Sequence, residues 1–481
     1  MQREALAERL AIGRAVLHRS GRSNLEGVTL ATINEPDVSV SSLDDLLEPF
    51  HSACKATSEF RVGTEAEKFG WLLRERAPLP FAGEVSVQSI LRNLAERFGW
   101  QPEREHAQGE VIALLRDRSS ITLEPAGQLE LSAAPHASIH ETHEEFEQHF
   151  SELRAVLEPK SVAWLSLGFH PLATQADLPK VPKLRYGIME TYLPTRGSRA
   201  LDMMRRTCTV QANLDYRSES DAMRKLRVGM ALQPIVTAMF ANSPIYEGRL
   251  GARASERADV WLHMDNARSG LLPFVWDKDM SFRRYIEWAL DVPMFVIKRG
   301  GQVIPNTGQT FRQFMRDGCR GERATMTDWR THLNTLFPET RLKNTLEMRG
   351  ADAQSRALTC ALPALWKGLM YSEPALERAE QLIAPLQPEL MQSLRADVAR
   401  DGVRVMLLGR PISAWASEVL EIAQAGLAQL NVRNERGETE GIFLDGIAAL
   451  MREGRSPADL LRAELQGQTD LTDAVVRLTA A

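Results

Sequence analysis

The run Thr207-Cys-Thr-Val-Gln-Ala-Asn-Leu-Asp-Tyr216 alternates without a break. Side chains two apart share a strand face, so Thr207, Thr209, Gln211, Asn213 and Asp215 lie on one side and Cys208, Val210, Ala212, Leu214 and Tyr216 on the other. The same parity puts Glu65 and Glu67 side by side in the strand predicted within 60–68. Val111–Leu115 and Ile121–Glu124 flank a turn at Asp117–Ser120 and read as a hairpin. A further strand, Gln128–Ser132, follows Pro125-Ala-Gly127, so Glu124 and Glu130 also sit in strands. Arg341–Arg349 reads as one strand, with Arg341, Lys343, Thr345, Glu347 and Arg349 opposing Leu342, Leu346 and Met348.

Elsewhere the apolar spacing is helical. It predicts helices at Glu84–Phe98 and Ser138–Leu157, and from Ser372 onward helices dominate, with Ser372/Pro374 and Ser456/Pro457 as start signals. Two amphipathic stretches within 1–58 are separated by a Gly/Asn/Pro-rich connection from Gly21 to Pro36, Ser41 or Ser42 capping the second. The expected organisation is an N-terminal helical layer at 1–58, a core at 59–371 and a C-terminal helical layer at 372–481. The class is α+β, with helices around an antiparallel sheet.

Composition narrows the chemistry. The 481 residues carry a net charge of −5, without the basic excess expected of a nucleic-acid binder. No apolar run reaches the roughly 18 residues of a bilayer span, and the charged opening does not read as a secretory h-region, so a cytoplasmic protein without membrane partners is expected. Cys54, Cys208, Cys319 and Cys360 form no CxxC and are too scattered for a disulfide framework. No P-loop, GxGxxG or GxSxG is present.

A polar strand face is most often the solvated side of a sheet. Here five glutamates (Glu65, Glu67, Glu124, Glu130, Glu347) join Gln211, Asn213 and several Arg and Lys. If these faces converge they form a carboxylate-lined cup with a basic end. Crowded carboxylates repel, so such a cup calls for cations, and all-oxygen donors suit Mg²⁺ or Mn²⁺ rather than zinc. His136, His140, His143 and His149 cluster in ASIHETHEEFEQH, where His140 and His143 could share one helical face at metal-ligand spacing, but without HExxH and among glutamates they read as part of a solvated helix. Met203, Met204, Met223, Met230 and Met239 read as core filling.

From GTEAEKFG (63–70) the chain resembles glutamate–cysteine ligases of the plant and proteobacterial type, a branch of the carboxylate–amine ligases related to glutamine synthetase. The resemblance continues through ITLEPAGQLELS (121–132), LDMMRRTCTVQANLDYRSE (201–219), ALQPIVTAMFANSPIYEG (231–248), LPFVWD (272–277), ALDVPMF (289–295), TFRQFM (310–315), LFPETRLKNTLEMRGAD (336–352) and CALPALWKGL (360–369). It implies a curved antiparallel sheet forming a funnel, with ATP entering at one end and amino acids at the other. The implied reaction is ATP-dependent joining of the glutamate γ-carboxylate to the cysteine amino group through γ-glutamyl phosphate.

The implied metal ligands are Glu65, Glu67, Glu124, Glu130, Gln211 and Glu347, with Gln211 standing where the wider superfamily often has histidine. Arg349 and Glu347 would act at the reacting centre, Arg341 and Lys343 at the nucleotide phosphates, Arg257 at the glutamate α-carboxylate, and Asn213 beside the substrates. A ligase joining glutamate to another amine, or serving another thiol, is the alternative. A monomer or weak homodimer is expected. The plant relatives use cysteine pairs as a switch, but His143 stands opposite Cys360 and Asn306 opposite Cys319, so neither pair is expected here.

Overall fold

The computed structural model describes residues 38–106, 108–157, 162–300, 302–468 and 470–480. The first amphipathic stretch expected in the N-terminal layer lies outside these residues. The second is the helix Leu43–Ser52, whose N-cap is Ser42 in a reciprocal capping box with Asp45.

Ten strands make one sheet: β1 (Val62–Leu72), β2 (Ala77–Pro78), β3 (Gln101–Arg104), β4 (Val111–Arg116), β5 (Ser119–Leu123), β6 (Leu129–Ser132), β7 (Val162–Leu165), β8 (Val210–Leu214), β9 (Thr340–Leu342) and β10 (Leu346–Met348). Their order is β9-β10-β8-β1-β6-β5-β4-β3, every pairing antiparallel. The far end of β1 pairs instead with β7 and β2, where Gly70 lets Leu79 approach closer than a Cβ would permit.

One face of the sheet is apolar, carrying Val210, Ala212 and Leu214, Leu129 and Leu131, and Leu342, Leu346 and Met348. Against it pack Ile139–Leu157, Glu219–Met239 and Ala361–Tyr371, and Ile412–Leu430 lies over Ala361–Tyr371 as an outer layer. Gly368 and Gly426 sit where the last two helices cross, each where a Cβ would overlap the other helix's backbone. The largest apolar cluster runs from Val40 to Met451 and includes helices after Ser372, whereas Pro457–Leu465 and Leu471–Thr479 pack in a separate small cluster with Leu167 and Ile245. No helix among the described residues is long and apolar enough to cross a membrane.

The α+β architecture and the large antiparallel sheet agree with the sequence. Four elements differ. The helix expected from Glu84 begins at Val87, capped by Ser86, and Glu124, expected in a strand, lies past β5 in a turn closed by the Gly127 N–H donating to its carbonyl at 2.9 Å. Arg341–Arg349 is a tight hairpin, closed by the Lys343 N–H donating to the Thr345 carbonyl at 2.8 Å. The regular strand predicted at Thr207–Tyr216 covers only Val210–Leu214, because Thr207 and Thr209 bridge to Phe169 and Asp352, and the Asp215 carboxylate turns to accept the Arg61 N–H at 2.7 Å.

Candidate active site

The other face of the sheet gathers the polar positions, and register decides which side chains meet. Glu65 stands opposite Gln211 on one side and Ser132 on the other. Glu67 stands opposite Glu130, which faces Thr122 in the next strand. Glu347 stands opposite Asn213 and Arg341. A left-handed Gly127 turns the chain between β5 and β6 and so brings Glu124 to the same end as Glu130.

One end is basic. Glu347 is fully buried and accepts from Arg341 Nε at 3.0 Å and from Nη2 at 2.7 and 2.8 Å. Lys343 lies 3.1 Å away, and Arg349 also pairs with it. Burial alone would raise this carboxyl, but Arg341, Lys343 and Arg349 hold it well below the usual carboxylate range. Arg349 donates to Gln211 Oε1 at 2.7 Å, and the Asn213 amide donates to Glu65 at 2.9 Å. Arg341 is further held by the Leu336 and Asn334 carbonyls at 2.9 and 3.0 Å.

The other end is acidic. Burial and the neighbouring Glu130 and Glu347 push Glu65 up to about 7. Burial, Glu124 and Glu130 push Glu67 well above its ordinary value, against the Arg257 charge and a hydrogen bond from the Thr209 N–H at 2.9 Å. Glu130 is raised by burial and Glu124, although the Ser132 and Thr122 hydroxyls donate to it at 2.8 and 3.0 Å.

Sequence reasoning missed two cations at this end. Lys183 and Arg185 lie in charge contact with Glu124, and burial with the nearby Arg185 brings Lys183 down to about 8. The Lys183 ammonium donates to the Leu123 carbonyl at 2.8 Å, in a segment tied to the turn by Val181 N–H to Pro125 O at 3.0 Å. Nothing local marks them, since they lie outside any strand.

Arg257 comes from the short helix Glu256–Leu262 and is buried. Its Nη2 donates to the Arg349 carbonyl at 2.8 Å, and its charge faces Asp352, Glu67 and Glu339. Of the clustered histidines, His140 and His143 share one partner and the other two turn elsewhere. His136 bonds Glu145 at 2.7 Å, His140 and His143 rest on Phe443, and His149 meets Lys68 at 3.1 Å behind the sheet.

The donor set suits a hard divalent cation, being carboxylates plus the Gln211 carbonyl, and the carboxyls at the acidic end stay raised although Lys343, Arg257 and Lys183 act on Glu65, Glu67 and Glu130. Among the described residues no three His, Cys, Asp or Glu side chains converge as a closed cage. The carboxylates stand instead as separate, mutually repelling groups, and Glu347 is already matched by three cations.

Residues 61–479 match the model of Glutamate-cysteine ligase family 2. The chain is 42% identical over 87% of its length to a chloroplastic glutamate–cysteine ligase of Medicago truncatula, covering 80% of that protein. It is 40% identical over 88% of its length to the chloroplastic one of Arabidopsis thaliana, again covering 80%. A crystal structure of glutamate–cysteine ligase from Francisella tularensis in complex with AMP shares the fold, with TM-score 0.50, 13% identity and 87% of each chain covered. The relatives' chloroplastic naming overturns the expected cytoplasmic placement. Lack of an apolar h-region argues against secretion only; transit peptides are amphipathic and need none.

Proposed function

The chain belongs to Glutamate-cysteine ligase family 2, and from that premise we propose how its polar sheet face joins the γ-carboxylate of glutamate to the amino group of cysteine with ATP, the first step of glutathione biosynthesis. A free carboxylate is a poor acyl donor because attack by an amine would have to expel oxide. The γ-carboxylate oxygen therefore attacks the terminal phosphorus of ATP and ADP leaves. The cysteine nitrogen then attacks the acyl carbon, its proton is lost, and phosphate departs.

The observation that carries this reading is the polarity of the site, with Arg341, Lys343 and Arg349 around Glu347 at one end and Glu67, Glu124 and Glu130 at the other. Arg341 and Lys343 face the nucleotide phosphates. Arg349 serves the transferring phosphoryl group and the tetrahedral oxyanion, where a fixed guanidinium needs no reorganisation as charge develops. Arg257 clamps the glutamate α-carboxylate, a two-pronged task for guanidinium, and Asn213 holds Glu65 in place. Glu65, Glu67, Glu124, Glu130, Gln211 and Glu347 would hold Mg²⁺, which when bound offsets phosphate and carboxylate charge.

The test is ADP release with glutamate, ATP and a panel of amines. Cysteine gives the highest kcat/KM; a higher value for glycine, ammonia or a polyamine overturns the acceptor assignment.

A further inference from the structure

Asp352 bridges to Thr209 through its backbone, while its carboxylate is buried and engaged on both oxygens away from the sheet. Oδ2 accepts the Asn242 N–H at 2.8 Å and the Ser243 hydroxyl at 2.7 Å, and Oδ1 accepts the Ser255 hydroxyl at 2.8 Å. Both hydroxyls pass the restraint on. Ser255 Oγ accepts the Ala258 N–H at 2.9 Å in the first turn of the Arg257 helix, and Ser243 Oγ accepts the N–H of Arg257 itself at 3.3 Å. That helix has seven residues, too few to hold its own geometry, so its first turn depends on its caps.

The same peptide segment is gripped at its other end. Arg257 Nη2 donates to the Arg349 carbonyl, and the Thr237 hydroxyl donates to the Gly350 carbonyl at 3.0 Å. Gly350 sits where a Cβ would overlap Gln233, and Gly168 lies so close to Asp352 that a Cβ there would overlap its carboxylate. Arg349 through Asp352 is therefore locked to Arg257 twice, by a backbone carbonyl that the guanidinium holds and by a carboxylate that holds the guanidinium's helix. The Asp352 charge also faces the buried Arg257 guanidinium.

We propose that Asp352 is the positioning residue for Arg257, fixing the two cap hydroxyls so that the guanidinium is set relative to Arg349. The proposal rests on reading Arg257 as the clamp for the glutamate carboxylate.

The test measures KM for glutamate and for ATP, with thermal melts, in four single variants and one double variant. Asp352→Asn keeps the volume but loses the charge and one acceptor, and raises the glutamate KM about tenfold while the ATP KM stays within about twofold. Ser255→Ala raises the glutamate KM about fivefold, and Ser255→Thr, which keeps a cap hydroxyl, restores it to within about twofold. Arg257→Lys with Asp352→Asn gives less than the product of the single effects.

Should Asp352→Asn fail to fold, the Ser255 pair decides alone. Melting points that fall with no separation of the two KM values overturn the proposal. Arg257→Lys raising the glutamate KM while Asp352→Asn and Ser255→Ala leave it unchanged overturns the role of Asp352 but keeps the clamp. Arg257→Lys leaving the glutamate KM unchanged overturns the clamp and the proposal together.

Discussion

Arg341 and Glu347 stand directly opposite each other across the β9–β10 hairpin, joined by two guanidinium nitrogens at 2.7–3.0 Å. In one extended strand they would lie about 20 Å apart, at roughly 3.3 Å per residue. The three-residue reversal at Lys343-Asn344-Thr345 makes Glu347 the meeting point of Arg341, Lys343 and Arg349. The basic end is thus built around one buried anion.

Removing that anion leaves three cations facing each other in a buried place. Glu347→Gln is therefore expected to destabilise by about 3–5 kcal/mol, the range for breaking a buried pair from one side. Turnover falls at least ~10²-fold in whatever fraction stays folded. Calorimetry beside steady-state kinetics checks both. An unchanged melting point would show that the cations do not depend on Glu347.

The opposite end carries the opposite sign. Glu65 and Glu67 are raised above their ordinary values by burial and by neighbouring carboxylates. A carboxyl raised on folding contributes stability at low pH that is lost as pH rises through its folded value. The metal-free protein should therefore melt progressively lower from about pH 5 to pH 8, with Glu65 titrating about 7. Added Mg²⁺ should flatten that decline. Glu67→Gln should raise the metal-free melting point at pH 8 while cutting activity at least ~10²-fold. A melting point that falls in this variant would mean that Glu67 is balanced by a partner other than a cation.

The contrast between the two ends explains what the sequence made legible. Parity is local, so Glu65, Glu67, Glu130, Gln211, Asn213 and Glu347 could be placed on strand faces from two-residue spacing alone. The hairpin at Lys343–Thr345 carries neither Gly nor Pro, and without a turn signal the segment reads as continuous strand. Asp352 was invisible for another reason. Its partners lie 97 to 110 residues earlier in the chain, and a carboxylate that acts through two hydroxyls has no spacing to read. Lys183 and Arg185 reach the site only because the start of the helix Leu184–Tyr192 docks beside the β5–β6 turn.

Three histidines set the acid limit of the fold. His149, His170 and His332 are buried, and burial holds all three below the ordinary histidine value, His170 and His332 at about 3. Their unfolded forms bind protons below about pH 6.5, so stability is present above that pH and lost as pH falls toward 3, by about 1.4 kcal/mol per unit for each histidine. His332 Nε2–H donates to the Ala289 carbonyl at 2.8 Å, and that carbonyl selects the Nε2–H form. His332→Gln should reduce the proton uptake on unfolding at pH 5 by close to one. Denaturant titrations at several pH values measure it, and an unchanged slope would place His332 outside the acid transition.

Redox insensitivity is the last expectation, and the thiols themselves argue for it. Disulfide exchange needs a thiolate, so a cysteine whose ionisation is suppressed exchanges slowly. Burial pushes Cys360 up to about 12, and Cys208 well above its ordinary value, with Glu67 adding to the latter. Burial also raises Cys54. All four cysteines are free. His143, at the position resembling the plant partner of Cys360, packs on Phe443. Activity should therefore stay within about twofold between thiol-reduced and mildly oxidised enzyme, and intact mass should show no loss of two hydrogens. Cys54 and Cys319 are the two half-buried thiols, and an internal bridge between them would need their Cα atoms within about 7 Å. A large loss of activity reversed by oxidant, with a bridge located by peptide mapping, would show that one of the buried thiols becomes accessible in solution and that burial does not govern their reactivity.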